Sequence, residues 1–435
     1  KQYGKRLLIL AFPIIMNNII AQLQMIIDRI FLGHANDLYM SALGNVSSPV
    51  WTTMSFCNSL VMGASILISQ SVGAKKREDI GEYAGAMLKY NNIIPIFLCF
   101  FWMIFPKPVF MILGVSDNVM PLCLGYVRWY APLFLLTGLG GSLGVILQTS
   151  NYTKPLVVYG CVRSGFNIFL DWMLIFGNLG MPALGIEGAA IATVIAEYVG
   201  AIYISVIFFT SKRLPTRPSW NDVKKGHFQS YLNAAKLGIN IALEDFAWNI
   251  GNLILIRILN SINEYAAGIY TIIFGVEVLA VVIGAIGSGT MTLTSEATGR
   301  KDLAQYKGIT LCAYAVCTIV TVVMIVGAVL FPEQILSLFT SDKTVIASCG
   351  GYLLLIGINL FSKSGNIIIG NAIRGSGNTK WMLFTQIFGT IWIVSVASVL
   401  VFICKLGIFG VVLAVILDEG VRALINLGKY LRIVK

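Results

Sequence analysis

Apolar stretches of about 20 residues recur along this chain from one end to the other. A helix rising 1.5 Å per residue needs about that length to cross a ~30 Å hydrocarbon core. Lipid offers the backbone no hydrogen bonds, so only helices or closed barrels can span it. Barrel strands would alternate with period 2 over ~10 residues, and these stretches do not. The chain therefore reads as an all-α polytopic membrane protein. Breaks and charges divide it into twelve spans, roughly 7–33, 44–72, 88–110, 121–147, 155–178, 183–210, 232–260, 266–296, 308–331, 346–373, 381–404 and 406–428. The longer ones imply tilt or projecting ends. The first span lacks the short apolar core and small-residue cleavage site of a signal peptide, so it is expected to be retained.

Composition agrees. Charged residues are 12% of the chain, against about 25% in soluble domains. The net charge of +11 raises the question of nucleic acid, and the distribution of the charge answers it. Lys5, Arg6, Lys75, Lys76, Arg77, Lys212, Arg213, Lys224, Lys225, Arg300, Lys301, Arg432 and most other basic residues outside the spans fall on one set of loops and termini. The opposite set carries only Lys107, Lys343 and Lys405. That asymmetry predicts both termini and the 211–231 linker in the cytoplasm, with the chain in the plasma (inner) membrane. Nothing points to nucleic acid. The eight cysteines lie in or beside spans without a CxxC pair and read as small buried hydrophobes. His34 and His227 lie outside the spans, and neither HExxH nor GxGD occurs, so catalysis is not expected. No cofactor and no metal beyond a coupling ion is implied.

The chain also repeats itself. FPKPVFMILGVSD from Phe105 returns as FPEQILSLFTSD from Phe331, 226 residues later (331 − 105), and Gly73 in VGAKKRED returns at Gly299 in TGRKD. LGIEGAAIATVIAE from Leu184 matches LGIFGVVLAVILDE from Leu406 at an offset of 222. Six spans per half make the repeat parallel, related by an axis along the membrane normal. The expected organisation is an N-terminal six-helix bundle (1–210), a cytoplasmic linker (211–231) and a C-terminal six-helix bundle (232–435). Two such bundles facing one another permit alternating access.

Ionisable and polar residues inside spans are costly and therefore mark candidate sites. Asp28 lies about 8 Å from the outer end of span 1, and Asn167 and Asp171 lie roughly 15 and 10 Å deep on one face of span 5. Thr193 in span 6 lies at about 15 Å. These hard oxygen ligands suit Na⁺, and the two carboxylates would hold protons in a coupled way. Arg163 and Glu197 read as a structural ion pair between spans 5 and 6, echoed by Glu419 with Arg422 and Asp418. Glu244, Asp245 and Glu277 lie near mid-membrane. They read either as a substrate- or proton-binding group or as partners of Lys236 or Lys363. Pro13 permits a bend in span 1.

Pro13 with Asp28, the NxxxD of Asn167–Asp171, LGIEGAAIAT at 184–193 and QSVGAKKRED after span 2 together resemble the MATE (multidrug and toxic compound extrusion) family, over essentially the whole chain. The resemblance implies a V-shaped pair of lobes. It also implies export of small cationic or amphipathic compounds in exchange for Na⁺ or H⁺. Carried over by position, Asp28, Asn167, Asp171 and Thr193 match the N-lobe cation site of the prokaryotic DinF-like pattern, and Pro13 its bending proline. Glu244 sits about where another branch keeps an acid, but that branch also expects an acid in span 10, and 346–373 has none. The alternative is a flippase for lipid-linked sugars from the same wider superfamily.

Overall fold

A computed structural model describes residues 2–262, 266–275, 280–337 and 343–435. Among these residues a helix lies on each of the twelve expected stretches. In order they are α1 (Gln2–Ala35), α2 (Asp37–Gly73), α3 (Arg77–Tyr90), α4 (Ile93–Ile104), α5 (Pro106–Ile112), α6 (Met120–Tyr130), α7 (Leu133–Thr149), α8 (Lys154–Phe176) and α9 (Gly185–Thr210). There follow α10 (Trp220–Lys225), α11 (Phe228–Asn260), α12 (Ala266–Gly275), α13 (Ala280–Arg300), α14 (Leu303–Leu330), α15 (Pro332–Ser337), α16 (Lys343–Gly375), α17 (Thr379–Ser398) and α18 (Gly407–Ile433). Singly long and apolar enough to cross a membrane are α1, α2, α3 with α4, α9, α14, α16 and α17, and α6 with α7 makes one more span bent by 44°. The bend falls at Pro132, which cannot donate to the helix ladder. Outside that set stand α8, α11 and α18, which carry Arg163 and Asp171, Glu244 and Asp245, and Asp418, Glu419 and Arg422.

The chain divides into two compact units. One comprises Phe12–Ala242, here the N unit; the other comprises Lys1–Ala11 with Leu243–Lys435, here the C unit. These bounds differ from the expected 1–210 and 232–435. The first turns of α1 belong to the C unit, where Arg6 pairs with Glu296 of α13 and Gly4 and Tyr3 meet α14. The first half of α11 belongs to the N unit. There Gly238 crosses Gly63 of α2 so closely that a Cβ on Gly63 would lie 2.5 Å from the Gly238 nitrogen. The boundary in α1 falls beside Pro13, through which the helix runs unbroken.

The 211–231 segment packs as part of the N unit. Ser219 and Asp222 form a capping box at α10. Arg77 donates to the carbonyls of Pro215 and Arg217, and Lys89 to that of Lys224 at 3.0 Å. Arg217 donates to the carbonyls of Phe208 and Phe209, closing the end of α9. The local signal was in the sequence: Ser219 and Asp222 stand at capping-box spacing.

The repeat is written into the backbone as well. Left-handed residues pair up at its offsets: Lys75 with Lys301, Asn151 with Gly377, Leu179 with Lys405 and Gly185 with Gly407. At the first two pairs each residue closes a helix in the same way. Its N–H bonds three residues back and the next N–H five residues back, as in Lys75→Val72 with Lys76→Ser71 and Lys301→Thr298 with Asp302→Ala297. This is the Schellman closure of a helix end.

Candidate functional site

In the N unit, α9 lies close against α8 because glycines face it. A Cβ on Gly188 would fall 2.7 Å from the Leu174 carbonyl oxygen, and one on Gly200 would fall 2.6 Å from the Tyr159 ring. Thr193 and Glu197 sit between these two glycines on α9 and are thereby pressed toward α8. On α8, Arg163, Asn167 and Asp171 follow at four-residue spacing, so they share one face.

The four expected site residues meet. Asn167 and Asp171 are 0% exposed. Asn167 Nδ2 donates to Thr193 Oγ1 at 3.3 Å, and Thr193 donates back to Ala189 at 2.9 Å. The carboxyls of Asp28 on α1 and Asp171 lie within hydrogen-bonding reach of each other. Gln24, one turn before Asp28, joins them: it reaches Asp28 and accepts from Ser164 at 2.8 Å. Neither Gln24 nor Ser164 was singled out from sequence, although Gln24 stands at the i−4 position of Asp28. Asp28 Oδ1, Asn167 Oδ1 and both oxygens of Asp171 are buried and accept no hydrogen bond. Four orphaned oxygens, three of them on the two facing carboxyls, form a set that a hard cation or added protons would satisfy.

Arg163 and Glu197 do pair, with Nη1 to Oε2 at 3.7 Å, and Tyr159 donates its hydroxyl to Glu197. In the C unit, Glu244 pairs with Arg374 at 2.5 Å. For Glu244 as an ion-pair member, the sequence offers Lys236 or Lys363 as the partner. The long guanidinium side chain reaches Glu244 from the last turn of α16, a reach that residue depth alone does not reveal. Asp245 lies within electrostatic range of the same arginine. Glu277 lies outside the described residues. A polar pocket that the sequence did not disclose opens elsewhere in this unit, between Trp248, Tyr270, Lys363, Gln386, Glu419 and Arg422. Arg422 is held there by Asp418, Glu419 and Gln386.

The model of the family described as MatE matches the chain twice, over residues 13–173 and 240–400. The probable multidrug resistance protein NorM of Thermotoga maritima is 27% identical over 97% of this chain and 91% of its own length. The uncharacterized transporter YisQ of Bacillus subtilis is 24% identical over 92% and 88%. An outward-facing multidrug resistance MATE transporter superposes with a TM-score of 0.90 at 19% identity, covering 99% of this chain and 96% of that one. A transporter of Pyrococcus furiosus, whose structure is described by the reverse polarity of its binding pocket, gives 0.88 at 19% identity with the same coverage.

The two matches begin 227 residues apart (240 − 13), close to the 226 of the FP motifs, and this correspondence supplies an internal comparison. Asp28, Asn167, Asp171 and Thr193 correspond to Leu255, Ile393, Ala397 and Val415, at offsets of 227, 226, 226 and 222. Leu255, Ala397 and Val415 belong to one buried hydrophobic cluster, with Ile393 packed against it. The same four positions thus converge in both units, carrying oxygen in one and only apolar side chains in the other, where Leu255, Ile393 and Val415 also line the polar pocket. The fold, the matching family model along both halves and the likeness over nearly the full length place the chain among multi-pass membrane transporters: it belongs to the MatE family of multidrug efflux proteins.

Proposed function

We propose that this chain is a secondary antiporter that exports small cationic or amphipathic molecules in exchange for Na⁺ or H⁺. It would lie in the inner membrane with both termini cytoplasmic, and its two lobes would alternate access. Asp28, Asn167, Asp171 and Thr193 carry the coupling cation, in the DinF-like manner. One observation carries this reading: facing carboxyls with orphaned oxygens stand where the sister unit carries only apolar side chains. The fold fills these positions without polar groups in the C unit, so packing does not require them in the N unit. Two buried carboxylates side by side need a positive charge, and either Na⁺ or protons supply it. The name of the Thermotoga maritima relative supports multidrug compounds as substrates. The test is ethidium-type dye efflux from proteoliposomes, with Na⁺ and pH gradients imposed separately. Efflux under one of the two names the coupling ion. No efflux under either, together with movement of a lipid-linked sugar, would favour the flippase reading.

A further inference from the structure

The arginine–glutamate pair occurs in both units, but its arginine changes helix. Glu197 of α9 corresponds to Glu419 of α18 at the 222 offset. Arg422, near Glu419, corresponds to Gly200, and Gly389 of α17 corresponds to Arg163 of α8 at the 226 offset. Arginine and glycine are thus exchanged across the same helix contact. In the C unit the Arg422 side chain lies over Gly389, and in the N unit Gly200 leaves room for Tyr159, with its own Cβ direction 3.5 Å from the Arg163 Cβ. Each unit keeps one guanidinium beside the glutamate and accepts it from the opposite helix.

The two pairs differ in how tightly they close. Arg422 holds Asp418 through Nε and Nη2, Glu419 at 3.1 Å and Gln386 at 2.8 Å. Arg163 reaches Glu197 only at 3.7 Å, stacks on Tyr159 at 5.4 Å and leaves its buried Nε without an acceptor. Placing the arginine on α8 also lines it up with Asn167 and Asp171 and brings it within electrostatic range of Asp28. The groups facing it are Glu197 on α9, Tyr159 on α8, Tyr130 on α6 and Asp28 on α1.

We propose that Arg163 is a tethered internal cation that competes with the coupling ion for Asp28, and that Glu197 holds it off the site. The inference rests on the coupling role proposed for Asp28. When the ion is bound, the guanidinium is repelled toward Glu197; when the ion leaves, the uncovered Asp28 carboxylate draws it inward. Arg163 is a positioning residue here: it helps discharge the ion by supplying positive charge beside Asp28 as the ion leaves. A merely structural pair would lose stability when either member is neutralised and would leave ion affinity alone.

The experiment is dye efflux from proteoliposomes with the wild-type driving cation, Na⁺ or H⁺, titrated to find its half-maximal concentration. Arg163→Gln is expected to lower that concentration about tenfold, in the usual range of site-to-site coupling, and to slow turnover. Glu197→Gln should raise it by a similar factor, and Arg163→Lys should stay near wild type. In the double variant the Glu197 change should add nothing to Arg163→Gln, because Glu197 acts through the arginine. Shifts in the same direction for both single variants, or no shift, overturn the competing-cation role while leaving the antiporter reading intact. A wild type that moves no dye under either gradient overturns both. Should Arg163→Gln fail to fold, a raised half-maximal concentration for Glu197→Gln beside an unchanged one for Arg163→Lys supports the competing-cation role, and no rise for Glu197→Gln overturns it.

Discussion

Asp28 and Asp171 come from helices far apart in the chain and meet carboxyl to carboxyl, each with at least one buried oxygen that accepts no hydrogen bond. Asn at either position keeps the shape and removes the charge. Asp28→Asn and Asp171→Asn should therefore fold, with apparent melting temperatures at or above wild type, because a buried carboxylate without a partner is lost. Gradient-driven efflux should fall to the leak rate in both. Unimpaired efflux in the two variants would sink the coupling role.

The Glu244–Arg374 pair is expected to show the asymmetry of buried ion pairs. Glu244 is 7% exposed and one of its oxygens has no partner besides. Arg374→Met would strand that charge and cost about 3–5 kcal/mol. Adding Glu244→Gln should restore most of the loss. Thermal unfolding in detergent checks both, and equal melting temperatures for the single and double variants would mean that the pair contributes nothing.

Two lysines adopt a conformation that suits glycine. Lys75 and Lys301 have φ of 58° and 57°, and the left-handed region costs an L-residue roughly 1–2 kcal/mol. Lys75→Gly or Lys301→Gly should raise the apparent melting temperature with dye efflux unchanged. Lys75→Val should lower it, since a β-branched side chain tolerates that region least. A glycine variant no more stable than wild type would show that the lysine side chains repay their strain elsewhere.

The proposed orientation can be checked with a native thiol. Cys404 is exposed and lies in the short connection before α18, on the side that the sparse basic residues assign to the outside. A membrane-impermeant maleimide added to intact cells should label the chain, and Cys404→Ser should remove that signal. Labelling only after the cells are opened would invert the topology.

Much of this architecture was legible because lipid leaves few options. Apolar length gives the spans, and charge asymmetry gives an orientation to test. Asn167 and Asp171 could be placed on one face from their spacing alone, and a depth estimate brought Asp28 and Thr193 into the same outer half of the membrane. Rotation about each helix axis was not legible, since periodicity is weak in a helix that is apolar all round. That is why Gln24 and Ser164 were missed beside Asp28. Depth counting also treats a side chain as a point at its Cα, so the only ion-pair partners it offered Glu244 were lysines, and it overlooked Arg374. The α10 capping box was visible as a local signal, but its docking against α3 depends on Gly81 and Gly85 leaving room for Asp222. Only tertiary packing reveals that.

The docked segment has a consequence for cutting the chain in two. Division between Lys212 and Arg213 would put Lys1–Ala11 of the C unit on the first fragment and the 228–242 half-helix of the N unit on the second. Neither fragment would contain a whole unit; each would lack a helical piece that only the other supplies. Such fragments would be mutually dependent, each holding a segment that packs in the other's unit. Two genes encoding the halves would thus specify their own pairing.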